Sequence, residues 1–243
     1  MPGPEVLVII ALAGAAAFTQ SVSGFGFSLF IVPPLALAVG AKDAVVLANT
    51  MGVVVNLVMA TRLRGHVDWR LGLTLLAGAS AGMPLGLVVL VVVDSAVLQA
   101  VIAVVVMLSA ALIWRGAALH AAGRVGDVAT GLVSGVLNTS TSMSGPPVVL
   151  YLQGRGVPAD TFRATLGAYF LASGAIATAL FVAGGRFDRE LWADTGLAAP
   201  ALVLGWFAGN VVYGKLDPAR FRAVVIVVLV ATAAVALATA VTS

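Results

Sequence analysis

Uncharged, strongly apolar stretches alternate along this chain with short polar connections, and they occupy positions 6–41, 44–61, 71–93, 95–114, 128–154, 164–185, 195–214 and 223–243. An ionisable side chain at the centre of a bilayer costs several kcal/mol, so charges tend to mark the ends of spanning segments. Most of the intervals hold about 18 to 23 residues, one hydrocarbon thickness for a helix. No stretch alternates apolar and polar residues with period two, as a barrel strand would. Helices are the only open spanning structure that satisfies its own backbone hydrogen bonds. The pattern predicts an all-α integral membrane protein of about eight hydrophobic segments, forming a single transmembrane domain over 1–243.

The intervals 6–41 and 128–154 are longer, roughly 36 and 27 residues, and each is interrupted. The first carries Gln20-Ser21-Val22-Ser23-Gly24-Phe25-Gly26-Phe27-Ser28, the second Asn138-Thr139-Ser140-Thr141-Ser142-Met143-Ser144-Gly145-Pro146-Pro147. Glycines let the backbone leave the helix, and small hydroxyls can bond the amides so freed. Were 6–41 to cross once, its two apolar pieces would rise about 40 Å at about 1.5 Å per residue, overshooting a core of about 30 Å. A broken hairpin that enters and returns fits both intervals.

The chain also repeats. Trp69, Gly82, Gly86 and Asp94 recur as Trp192, Gly205, Gly209 and Asp217, and Ser23-Gly24 with Pro33-Pro34 as Ser144-Gly145 with Pro146-Pro147. This divides it into repeats at 1–115 and 124–243, each a hairpin plus three full spans. An odd number of crossings inverts one half relative to the other. Charge tests the hairpins independently. With both as re-entrants, one side collects Arg62, Arg64, Arg70, Arg115, Arg124, Arg155, Arg163, Lys215, Arg220 and Arg222, against Lys42, Arg186 and Arg189 on the other. With both crossing once, the bias disappears. The positive-inside rule then places the basic loops in the cytoplasm and both termini outside, in a bacterial inner (plasma) membrane.

Composition agrees and narrows the chemistry. At 61% hydrophobic and 9% charged residues, with mean hydropathy +1.10, the chain cannot hide its apolar surface in one water-soluble core. The net charge of +3 is spread singly over short loops, which fits orientation in the lipid bilayer and not a nucleic-acid surface. The absence of cysteine removes disulfides and thiol chemistry. No carboxylate falls mid-span, which disfavours a buried proton relay. There is no H-E-x-x-H zinc motif and no Walker A sequence, so the expectation is a non-enzyme without metal or cofactor. The first segment lacks the basic start of a secretory signal and is read as retained.

The breaks are where chemistry belongs, because irregular backbone at membrane depth is tolerated only where protein or a wet cavity surrounds it. Ser144-Gly145-Pro146 reads as a helix start, with Ser as N-cap and Pro in the first turn. Helix N-termini at 23–28 and 144–148 offer free N–H groups and a partial positive charge, an anion site without a buried Lys or Arg. The candidate substrate-binding residues are therefore Ser23, Gly24, Phe25, Gly26, Phe27 and Ser28 in the first break. In the second they are Asn138, Thr141, Ser142, Ser144, Gly145 and Pro146. Asn49 lies near a break, Tyr151 is placed to shape an organic substituent, and Arg163 either draws anions from the cytoplasm or merely snorkels. Asn56, Gln153 and Asn210 are further polar residues inside spans. Gly78, Gly82 and Gly86, spaced by four, read as helix packing. His66 and His120 read as solvated loop residues.

Gly24-Phe25-Gly26 with Pro33-Pro34, and above all Ser142-Met143-Ser144-Gly145-Pro146-Pro147-Val148-Val149-Leu150-Tyr151 followed by Phe162-Arg163-Ala164-Thr165-Leu166, resemble the TauE/SafE sulfite exporter family of membrane permeases. The resemblance spans essentially the whole chain. It implies export of sulfite, a sulfonate or a related organic anion, with the two glycine-containing motifs at its centre. The family often has three glycines where this chain has Phe25-Gly26-Phe27, and the bulkier break suits an organic anion as well as sulfite. The expected function is secondary transport of a small anion bound near the midplane. The alternative is a passive anion channel, because paired re-entrant hairpins also build pores. Homo-oligomerisation is left open by the sequence.

Overall fold

The computed structural model of the chain describes residues 4–119, 123–186 and 189–213. Within these, all regular structure is helical: α1 (Pro4–Ser23), α2 (Phe27–Val39), α3 (Ala41–Leu63), a 3-10 turn (Arg64–His66), α4 (Trp69–Val92), α5 (Ser95–Trp114), α6 (Gly123–Thr141), α7 (Gly145–Gly154), α8 (Ala159–Ala183) and α9 (Arg189–Val212). Six of them, α1, α3, α4, α5, α8 and α9, are long and apolar enough to cross a membrane. The expected segment at 223–243 lies outside the described residues, as do His120, Lys215, Asp217, Arg220 and Arg222.

Both long intervals break where the small polar residues fall, leaving the 13-residue α2 and the 10-residue α7 as half-helices. The second hairpin turns back on itself. Tyr151, near the end of α7, hydrogen-bonds Asp127 in the second turn of α6, and Arg155 Nη1 donates to the same Asp127 Oδ1 at 2.7 Å. The Leu119 N–H, ahead of α6, donates to Leu150 O at 2.9 Å. Contacts between the far end of α7 and the near end of α6 show that the chain folds back along α6, which fits the expected hairpin.

The helices overrun the charge-free intervals. α3 begins at Ala41 and takes in Lys42 and Asp43, and α6 begins at Gly123 and takes in Arg124 and Asp127. A first or last turn at the interface keeps its charged tips in reach of polar groups, as Lys42 shows by donating to Val91 O at 3.1 Å. Charge marks the membrane boundary better than it marks the helix end.

Two helix pairs frame the structure. α4 lies along α6, and a Cβ at Gly78, Gly82 or Gly86 would strike the carbonyl oxygens of Val128, Leu132 and Val136. Gly131 and Gly135 press equally on Leu75 and Ala79. Lipid supplies no hydrophobic force between helices, so small residues that let two backbones touch provide the van der Waals contact instead. α1 lies along α9 in the same way, with Gly205 against Gly14 O and Gly209 against Phe18 O. Each pair joins the first or sixth helix to the fourth helix of the other half, the exchange that inverted halves would make. Between the pairs α3 runs beside α8, with Leu47, Met51 and Met59 fully buried on α3 and Ala177 and Phe181 on α8.

Candidate functional site

The two breaks share one backbone plan. Ser23 and Thr141 end the entering helices, Phe27 and Gly145 open the returning ones, and three residues link them in each case. In this register Gly24 corresponds to Ser142, and both have positive φ, 84° and 61°. The Gly24 N–H donates to Gln20 O at 2.7 Å and the Ser142 N–H to Asn138 O at 2.9 Å. The pairing of Ser23-Gly24 with Ser144-Gly145 suggested by sequence is thus shifted. It followed residue types, whereas the chain repeats a conformation that glycine adopts in one half and serine in the other.

One cavity lies where the breaks meet. It is lined by Gln20, Gly26, Phe27, Ser28, Leu29, Asn49, Gly52, Asn56, Asn138, Ser142, Met143, Ser144, Gly145, Phe170 and Gly174. The space open to the centres of water-sized molecules is about 40 Å³, against about 10–15 Å³ for one water, so a small anion or a few waters fit. None of the lining residues is charged. Ser28 and Ser142 bridge the two breaks, Oγ to Oγ, at 3.2 Å.

The two half-helices do not offer equal donors. The first-turn N–H groups of a helix have no intrahelical partner. In α2 these are Phe27, Ser28 and Leu29; in α7 the first turn holds Gly145 followed by Pro146 and Pro147, which have no N–H. Serine is indeed the N-cap of α7, but the Ser144 side chain makes no capping bond, and its carbonyl accepts from Ser134 Oγ at 2.7 Å. The Ser134 hydroxyl in turn accepts from Tyr169 at 2.7 Å, tying the break to α6 and α8.

The amides around the cavity are held by internal bonds. Gln20 Nε2 donates to Asn56 Oδ1 at 2.6 Å and Asn56 Nδ2 to Gly52 O at 2.8 Å. Asn49 Nδ2 donates to Gly174 O at 3.1 Å and to Thr178 Oγ1 at 3.0 Å, and Asn138 Nδ2 to Ser173 O at 3.2 Å. Four amides fixed in this way make a rigid polar wall.

Of the residues singled out from sequence, the structure brings Gly26, Phe27, Ser28, Asn49, Asn138, Ser142, Ser144 and Gly145 to the cavity. Ser23 and Gly24 lie behind it, Ser23 Oγ donating to Thr19 O at 2.8 Å and accepting from Phe25 N–H at 3.4 Å. Phe25 packs against a buried apolar cluster that includes Leu71 and Tyr169. Thr141 Oγ1 returns to Leu137 O at 2.9 Å, Pro146 is buried in the body of α7, and Tyr151 belongs to the Asp127–Arg155 cluster. Arg163 is buried beside Ser21 and Tyr213, not in the cavity. Gln20, Asn56 and Phe170 line the cavity without having been chosen. Gln20 and Asn56 did carry a signal, an amide inside an apolar helix, while Phe170 carried none.

One string has nucleophile-elbow spacing, Gly78-Ala79-Ser80-Ala81-Gly82. In the structure it is uninterrupted α4, and the exposed Ser80 donates to Leu76 O at 2.9 Å. An elbow needs a sharp strand-to-helix turn, so these glycines pack and the serine bonds its own helix.

A protein-family model described as sulfite exporter TauE/SafE matches residues 9–236. The chain is 27% identical over 237 residues to a protein of Cupriavidus necator described as a probable sulfite/organosulfonate exporter TauE, covering 93% of this chain and 91% of that one. No solved structure matches the chain.

Proposed function

From the premise that the chain belongs to the sulfite exporter TauE/SafE family, we propose that it is a secondary transporter that exports sulfite or a small organosulfonate, holding the anionic group between its two broken helices. The observation that carries this is the convergence of the α2 and α7 N-termini on one neutral cavity of about 40 Å³. Each N-terminus presents about half a positive charge to an anion at no cost of burying a cation, and α2 adds the unpaired N–H groups of its first turn. The Cupriavidus necator relative, described as exporting sulfite or organosulfonates, supports the same substrate class. The charge-free lining fits a site that must release its ligand as readily as it takes it up.

The exchanged packing of α4 on α6 and α1 on α9 supports two inverted halves, and alternating access is then a rocking of one against the other around this cavity. Proteoliposomes loaded with sulfite test the reading. Saturable efflux with counterflow is expected; no efflux above empty vesicles overturns transport. Efflux without saturation or counterflow replaces the carrier by a passive channel.

A further inference from the structure

The guanidinium of Arg163 is the unusual group in this membrane interior. The residue is 5% exposed, one turn into α8. Nη2 donates to Ser21 O at 2.7 Å, the group stacks over the Tyr213 ring at 3.6 Å, and its Nε has no hydrogen-bond partner. No carboxylate pairs with it among the described residues; the ion pair there joins Arg155 and Asp127. A guanidinium has five N–H donors, and a buried charge left this incompletely met calls for an anion. The second orphan lies alongside: Ser21 Oγ is buried and also unpartnered. Gly24 closes the site, for a Cβ there would come within 3.0 Å of Arg163 Cγ.

The place matters as much as the charge. Ser21 adjoins Gln20, which lines the cavity, so the orphaned pair sits directly behind the first break. Thr165, two residues beyond Arg163, accepts from the Asp68 N–H in the connection between α3 and α4, which holds Arg64 and is flanked by Arg62 and Arg70, and this sets Arg163 on the arginine-rich side of the cavity. The repeat does not reproduce it. In the register of the breaks Ser21 corresponds to Thr139, whose hydroxyl is met by Met83 O at 2.6 Å, and Arg163 corresponds to Val45. Among the described residues, Arg163 is therefore a buried cation without a carboxylate partner, and its counterpart in the other half is apolar.

We infer that Arg163 and the Ser21 hydroxyl form a second station for the transported oxyanion, in series with the neutral cavity and reached from the arginine-rich side. The inference rests on the anion-transport reading above. An anion arriving from that side meets the Arg163 donors and Ser21 Oγ, then passes around Gly24 to the α2 N-terminus. An anion arriving from the other side meets no such group, so affinity at the two mouths is unequal.

Sulfite flux in sidedness-controlled proteoliposomes tests this, with the wild-type chain, Arg163→Gln, Arg163→Lys and Ser21→Ala. Arg163→Gln should raise the half-saturating sulfite concentration on the arginine-rich side at least tenfold and change it less than twofold on the other. Arg163→Lys should recover part of that loss, and Ser21→Ala should cost threefold or more on the same side. Equal losses at both mouths, or none, overturn the station and leave Arg163 a structural staple. If Arg163→Gln does not fold, Ser21→Ala decides alone, its unchanged half-saturation overturning the inference. Wild-type vesicles that move no sulfite defeat the transport reading itself, an outcome distinct from either.

Discussion

Among the described non-glycine residues only Ser142 has positive φ, at 61°. A side chain there costs roughly 1–2 kcal/mol, which persists only where the surroundings over-determine it. Its hydroxyl faces Ser28 across the cavity, so the strain and the site coincide. Ser142→Gly should leave the melting temperature unchanged or raise stability by about 1 kcal/mol, because glycine adopts this φ freely. It should also weaken sulfite binding about fivefold, the loss of roughly one hydrogen bond of about 1 kcal/mol. Isothermal titration in detergent reads both ligand arms, and unchanged affinity removes this hydroxyl from the site. Gly145 gives the converse. A Cβ there would lie 3.7 Å from Phe170 Cζ, ordinary contact, so Gly145→Ala folds normally. Gly145→Leu should fill the cavity and abolish flux at near-normal melting temperature, and undiminished flux would move the pathway elsewhere. Much of the cavity lining was legible in the sequence because polar residues are rare in such a chain and a cluster of them needs a wet or bonded place. Tyr151 and Thr141 were drawn in by the same logic, yet their hydroxyls are consumed locally, by Asp127 and by Leu137 O, which only the hairpin geometry reveals.

At the level of elements, the α6–α7 hairpin is held at both ends. At the break Ser134 bonds Ser144 O, and at the mouth Asp127, Tyr151 and Arg155 form a cluster whose ion pair has side chains 38% and 10% exposed. Tyr151→Phe removes the hydroxyl that bonds Asp127 and should cost about 1–2 kcal/mol of stability. It should leave sulfite affinity unchanged, since the ring touches neither the cavity nor its lining bonds. A lowered affinity at unchanged melting temperature would return Tyr151 to the substrate site. The glycine pairs make the sharper test. Gly82→Val drives side-chain carbon into Leu132 O and the neighbouring backbone of α6, and the two helices cannot stay in register. Its yield of folded, monodisperse protein should collapse. Gly196→Ala in α9 meets nothing within 4 Å and should be neutral or stabilising by up to about 1 kcal/mol. Equal tolerance at both positions contradicts backbone-on-backbone packing. The helix breaks and these stripes were readable because interval length and four-residue spacing are written directly in the sequence. Helix ends were not, because an interfacial turn such as that of Lys42 can keep its charge solvated while staying helical.

For the whole molecule the decisive quantity is the sign of its two faces. Exposed Arg62, Arg64, Arg70, Arg115, Arg124 and Arg155 lie at helix ends or turns on one face, while Lys42 and Arg186 lie on the other. The positive-inside bias counts basic residues in short loops, and every described loop here is short, so the rule predicts that the arginine-rich face lies in the cytoplasm. The prediction reaches function, because under that orientation the Arg163 side of the cavity would be the cytoplasmic one, the loading mouth of the proposed exporter. The chain contains no cysteine, so single-cysteine variants report position without background. Gly65 sits exposed in the 3-10 turn after α3 with open space around its missing Cβ, and Ala183 is exposed at the last turn of α8. With a membrane-impermeant maleimide, Gly65→Cys should be labelled only in inverted vesicles and Ala183→Cys only in intact cells whose outer membrane has been permeabilised. Because α8 crosses once between these faces, the two results must be opposite. Labelling of both from one side contradicts the span itself, whereas a clean reversal keeps the fold and makes the arginine-rich mouth the external one, turning the proposed export into uptake.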